Sequence, residues 1–144
     1  MVRTVLASLL LTAGASSCGP VPAPADAPSH DAPARDTPVP IGSSGAICPE
    51  GGTSLTWASF GETFFATYCT RCHATSVVGS TARMGAPPDL NWDEHATVMA
   101  NAARIDRVAA AGPRMVNTFM PINGLVPSEA ERRQLAEWLA CGAP

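Results

Sequence analysis

All eight aromatic residues of this 144-residue chain lie at or beyond Trp57, and that asymmetry limits the fold more than any other feature. Aromatic side chains bring the largest buried areas to a core, so a core has to come from the C-terminal part. From Gly19 to Ile47 there are seven Pro and six Ala among scattered Asp, Ser and Gly, with no apolar period of 2 or 3.6. Such a segment cannot bury enough apolar surface to offset the entropy of ordering it. Pro at positions 20, 22, 24, 28, 33, 38 and 40 removes amide donors and favours extended backbone. The stretch therefore reads as a disordered, semi-rigid tether with an upper reach of about 90 Å. His30 falls inside it and is expected to be a solvated linker residue.

Ahead of the tether stands an export signal. Arg3 supplies a positive charge, Val5 to Leu11 a short apolar run, and Thr12 to Ser17 small residues. The run is too short to span a bilayer. Two processing routes fit. Ala13-Gly14-Ala15 is an A-x-A cleavage site that would release a soluble protein, whereas Ala15-Ser16-Ser17-Cys18 resembles a bacterial lipoprotein box in which Cys18 is lipidated. That box usually carries Leu where this chain has Ala15. Lipidation at Cys18 leaves an even number of other cysteines and an anchor directly before the tether. The expected organisation is a signal at 1–17, a Pro/Ala-rich linker at 18–47 and a folded domain at 48–144.

Charge and cysteine content narrow the function classes. The formal charge is −3 and all nine basic residues are Arg, with no basic stretch interleaved with aromatics. No nucleic-acid partner is expected. Five Cys in a short chain fit an exported protein or cofactor chemistry better than a reduced cytosolic one.

Cys69-Thr70-Arg71-Cys72-His73 has the C-x-x-C-H form of a c-type haem attachment site. The spacing has a chemical cause: two thiols three residues apart can each form a thioether with a haem vinyl group, and the adjacent His can then ligate the iron. A thioredoxin-like pair would need a βαβ context that is absent here. Zinc would need a further ligand pair, which Cys48, His95 and Cys141 do not supply by spacing.

Periodicity predicts helices around this motif. Trp57, Phe60/Gly61, Phe64 and Tyr68 form one apolar stripe behind a Thr56 cap. Ser128-x-x-Glu131 is a capping box, Leu135, Trp138 and Leu139 are the apolar face that follows, and Gly142 is a stop. Val98, Ala102, Ile105 and Val108/Ala109 predict a further helix from about Trp92 to Ala111, ended by Gly112-Pro113. No segment alternates like a strand. The expected fold class is all-α.

With Gly61 and Phe65 eight and four residues before Cys69, and Leu135 and Trp138 on the last helix, residues 48–144 resemble a small mono-haem c-type cytochrome domain of the class I type. The resemblance implies three to four helices around one covalent haem c, with the first and last helices crossing at Gly61. It implies Cys69 and Cys72 as thioether positions, His73 as the proximal ligand, and Met120 of Met120-Pro121 as the distal one. A Met ligand favours the reduced state. Met115 is the reserve ligand; Met99 falls in the third helix, Met84 is close in sequence to His73, and His95 would give bis-His ligation. In Gly85-Ala86-Pro87-Pro88-Asp89-Leu90, the resemblance makes the Pro88 carbonyl the acceptor for the free N–H of His73, although an ordinary turn would read the same. Since the terminal helices are expected to cross, the remaining Cys48 and Cys141 could meet as a disulfide.

The function expected from these features is single-electron transfer between unidentified redox protein partners. The location expected is the periplasm or outer surface, with a membrane anchor through Cys18. No catalytic set of paired carboxylates, Ser/His/Asp or phosphate loop is present, so an electron carrier is expected rather than an enzyme. A haem-based sensor or an accessory subunit of a larger oxidoreductase is the alternative.

Overall fold

The computed structural model describes residues 41–144. The expected signal at 1–17, the lipidation candidate Cys18 and the tether through residue 40, His30 included, lie outside the described residues.

Thr56 opens the first helical segment. Its side chain accepts from Ser59 N–H at 3.1 Å while Ser59 Oγ accepts from Thr56 N–H at 2.9 Å, a reciprocal cap that satisfies donors otherwise orphaned at a helix start. The first turn, Trp57–Gly61, is π-helical, with Gly61 N–H reaching back to Thr56 O, and it runs directly into α1, Glu62–Tyr68. Three helices follow: α2 (His95–Ala100), α3 (Ala102–Ala109) and α4 (Glu129–Ala140). The described residues are all-α, and their only β-type pairing is an isolated bridge between Ala111 and Val116. None of these helices is long and apolar enough to cross a membrane.

The helix expected from Trp92 to Ala111 is two helices, shorter at both ends. At its start, Trp92 N–H donates to His73 O at 2.7 Å and the Asp93 carboxylate accepts from Thr75 N–H and Oγ1, so these residues are tied to the turn after the cysteines. In the middle, Asn101 Nδ2 takes the Thr97 carbonyl at 2.9 Å and the Asn101 N–H shifts to Val98 O. An Asn side chain that competes for backbone acceptors breaks a helix in this way. At its end, Ala110 is extended and the chain turns into the Ala111–Val116 bridge before reaching Gly112.

The last helix follows its sequence signals. Ser128 and Glu131 form the capping box. Gly142 (φ 88°) ends it as a Schellman motif, with Gly142 N–H to Leu139 O and Ala143 N–H to Trp138 O.

The core is aromatic and centred on α4. Trp138 and Leu135 are fully buried, Phe65 is 1% exposed, and Val98 of α2 is fully buried beside them. Gly61 admits the Trp138 ring rather than a backbone: a Cβ there would lie 2.7 Å from Trp57 Cε3 and 3.0 Å from Trp138 Cζ2. Cys48 and Cys141 are joined by a disulfide with Cα atoms 4.7 Å apart.

The linker boundary expected after Ile47 needs correction. Ser44 is fully buried; its N–H donates to Asp106 Oδ2 at 2.9 Å and its carbonyl accepts from Arg114 N–H at 2.9 Å. Gly42 O accepts from Asn117 Nδ2 at 2.7 Å. This stretch is low in apolar residues, and its attachment comes from polar bonds to distant positions that composition does not reveal.

Candidate functional site

The C-terminal end of α1 leads directly into the cysteine motif. Cys69 N–H and Thr70 N–H both donate to Phe65 O, at 2.8 and 3.0 Å, and Cys72 and His73 N–H both return to Cys69 O, at 3.2 and 3.1 Å. This tight winding brings Cys69, Cys72 and His73 to the wall of one cavity of about 250 Å³. Phe64, Phe65, Leu90 and Trp92 extend that wall, and Ile105, Val108 and Ala109 of α3 together with Phe119, Met120 and Pro121 supply much of the remaining apolar lining. An apolar cleft with a few convergent polar groups is the usual form of a cofactor site.

His73 is oriented on two sides. Its ring stacks on Trp92 with centroids 5.2 Å apart, and Nδ1 lies 3.0 Å from the Leu90 carbonyl oxygen. A carbonyl only accepts, so Nδ1 carries the proton and Nε2 keeps its lone pair. Burial holds this imidazole below its ordinary value of 6.5, outweighing the opposing effect of the Leu90 bond, and the charges of Arg83 and Arg104 add to the lowering. A neutral imidazole with a free Nε2 is the form that ligates a metal.

The acceptor is therefore Leu90, not Pro88. Pro88 is exposed and does not line the cavity, whereas Pro87 and Leu90 do. Resemblance located the right loop but not the right carbonyl. Arg83 gathers the same loop: its side chain donates to the carbonyls of Pro87 at 2.7 Å and Leu90 at 3.0 Å.

Met120 is held by its backbone. Its N–H donates to Val108 O at 2.8 Å, and its carbonyl accepts from Arg132 Nη1 at 2.9 Å. The same Nη1 also donates to Ala109 O and Asn117 O, at 2.7 and 2.8 Å, so one buried guanidinium group ties α4 to the end of α3 and to the Met120 loop. The reserve ligand Met115 does not line the cavity; its Sδ and Cε lie 3.3 Å from where a Cβ on Gly42 would be. Met99 is half exposed and away from the cavity, while Met84, with φ 52°, stands at its rim. His95 is occupied elsewhere, donating from Nε2 to Ala143 O at 2.7 Å and stacking on Trp57 at 4.8 Å.

Neither Cys69 nor Cys72 is joined in a disulfide. Desolvation pushes the Cys69 thiol up to about 12, against a lowering effect from Arg132. A reactive thioredoxin-like cysteine needs the opposite, a stabilised thiolate. The zinc reading loses its candidate donors too: Cys48 and Cys141 are spent on each other and His95 on Ala143.

The lining contains Arg71, Arg83 and Arg104 and no Asp or Glu. None of these arginines, nor Arg132, was singled out as a site residue by sequence. Arg132 did leave a signal, because it lies three residues before Leu135 on the buried stripe of α4. Arg83 left none, since its loop has no period.

The donor set fits a covalent haem. Two thiols at C-x-x-C spacing, an imidazole with a free Nε2, and the thioether of Met120 line one largely apolar cavity. No protein-family model matches the chain, and neither a curated protein nor a solved structure matches it.

Proposed function

We propose that the helical domain is a mono-haem c-type cytochrome that carries single electrons between redox proteins. One observation carries this reading: Cys69, Cys72, His73 and Met120 line the same apolar cavity, with His73 Nδ1 already committed to Leu90 O. A bound haem c supplies reversible one-electron chemistry at its iron. The chain's own residues would hold and orient it: Cys69 and Cys72 as thioether positions, His73 and Met120 as iron ligands, Arg132 and Val108 as anchors of the Met120 backbone, and the aromatic wall as a barrier to water. The proposal extends to export, to the periplasm or outer surface, and to a membrane anchor through Cys18.

The test is the absorption spectrum and mass of protein purified after export. A red protein whose mass exceeds the polypeptide, plus any lipid, by one haem supports the reading; colourless protein of bare mass overturns it. Met120→Ala is expected to abolish the weak far-red band of thioether–iron ligation and to let carbon monoxide bind the reduced protein at neutral pH. Met115→Ala is expected to leave both unchanged.

A further inference from the structure

Arg83 is 4% exposed, and its guanidinium group is spent entirely on backbone carbonyls. Nε donates to Ala86 O at 3.2 Å, Nη1 to Ala74 O at 2.8 Å and Val77 O at 3.0 Å, and Nη2 to Pro87 O at 2.7 Å and Leu90 O at 3.0 Å. An arginine has five N–H donors, and all five are used here. Among the described residues it makes no ion pair. The Asp93 carboxylate lies near enough to feel its charge but does not bond to it; burying a cation without a directly paired carboxylate is costly, and its position beside a ligand candidate gives that charge a use.

The last acceptor is the decisive one. Leu90 O, which takes Nη2 at 3.0 Å, also takes His73 Nδ1 at 3.0 Å. Resting on the haem reading above, we infer that Arg83 is a positioning residue that raises the reduction potential of the site, by sharing the Leu90 carbonyl with His73 and by fixing a positive charge beside that ligand. A carbonyl polarised by a guanidinium group is a poorer acceptor for the imidazole N–H. The hydrogen bond that makes a ligating His more basic is thereby weakened, and a less basic imidazole favours the reduced metal. The fixed charge acts in the same direction, because a nearby cation in a low-dielectric wall disfavours the form carrying one more positive charge. The couple exchanges one electron with a partner redox protein. Arg83 neither gains nor loses a proton, since guanidinium stays protonated in proteins.

The experiment measures the midpoint potential of exported holoprotein in the parent and in Arg83→Gln, together with the His73 ring N–H resonance in the reduced state. The expected result is a lower potential in the variant, with the oxidised-to-reduced ratio at the parent midpoint raised about tenfold, a shift of about 59 mV for one electron. The ring N–H should move downfield as its bond to Leu90 strengthens. A residue that only staples the loop would lower the melting temperature while leaving the potential and the N–H resonance at the parent values, and that result overturns the inference. Should Arg83→Gln fail to load haem, Arg83→Lys, which keeps a charge but not the planar fork, is expected to move the ring N–H downfield and to lower the potential by less than tenfold in that ratio; both readouts at the parent values overturn the inference. Failure of the haem reading itself is visible earlier, as a parent protein with neither colour nor added mass.

Discussion

Arg132 is a charged residue at a core position. It is 3% exposed on the face of α4 that otherwise carries Leu135, Ala136 and Leu139, and one nitrogen serves the carbonyls of Ala109, Asn117 and Met120. Burial lowers the pKa of its guanidinium group below the ordinary arginine range. Replacing it by Met would keep much of the volume but strand three carbonyls. The expected cost is about 2–4 kcal/mol in denaturant unfolding, since buried acceptors lose charge-assisted bonds. The Met120 loop should loosen at the same time, so under the proposed haem function the Arg132→Met protein is expected to show a weaker far-red band. The same scale explains the miss at Pro88. Sequence spacing identifies a proline-rich turn, but the carbonyl that faces an imidazole seventeen residues away depends on the path of the loop, which Arg83 also binds.

At the scale of elements, caps were legible and interruptions were not. Thr56 with Ser59, Ser128 with Glu131, and Gly142 act within a few residues of themselves, so local spacing contains their whole cause. The α4 cap also makes a pH prediction. Hydrogen bonds from Ser128, then from Tyr68 Oη, lower the pKa of Glu131 from its ordinary value of 4.5. A carboxyl group depressed in the folded state binds fewer protons there than in the unfolded chain. Its stabilising contribution is therefore complete above 4.5 and disappears as pH falls through the lower folded value. Ser128→Ala should cost about 1 kcal/mol near neutral pH as a lost cap. It should also shrink the part of the drop in melting temperature between neutral pH and about pH 3 that Glu131 causes. Paired thermal melts of the two proteins check both effects. The break at Asn101 had no such local signature. The apolar stripe through Val98, Ala102 and Ile105 continues across it and masks the break, where the Asn101 side chain bonds Thr97 O and its N–H shifts to Val98 O.

At the scale of the whole molecule, the Cys48–Cys141 disulfide closes a loop with a sequence separation of 93. Cross-linking so long a loop restricts the unfolded chain, and the Cys48→Ser/Cys141→Ser double variant is expected to lose up to about 4 kcal/mol in denaturant unfolding by the chain-entropy treatment. Thiol titration of the denatured, oxidised parent should find neither cysteine free. The core gathers around α4, and residues 42–44 are pinned to Asp106, Arg114 and Asn117. The folded unit therefore begins earlier than its composition implies.

Sequence by itself determined the helical class, the caps and stops of the first and last helices, the C-x-x-C-H motif and the leftover pair of cysteines. Each of these is written in residue type and short spacing. The tertiary structure decided that Met120 rather than Met115 reaches the cavity, that Leu90 rather than Pro88 accepts from His73, and that two arginines are buried beside the site. Those outcomes depend on hydrogen bonds and packing between segments far apart in the chain, whose meeting is encoded only by the fold as a whole.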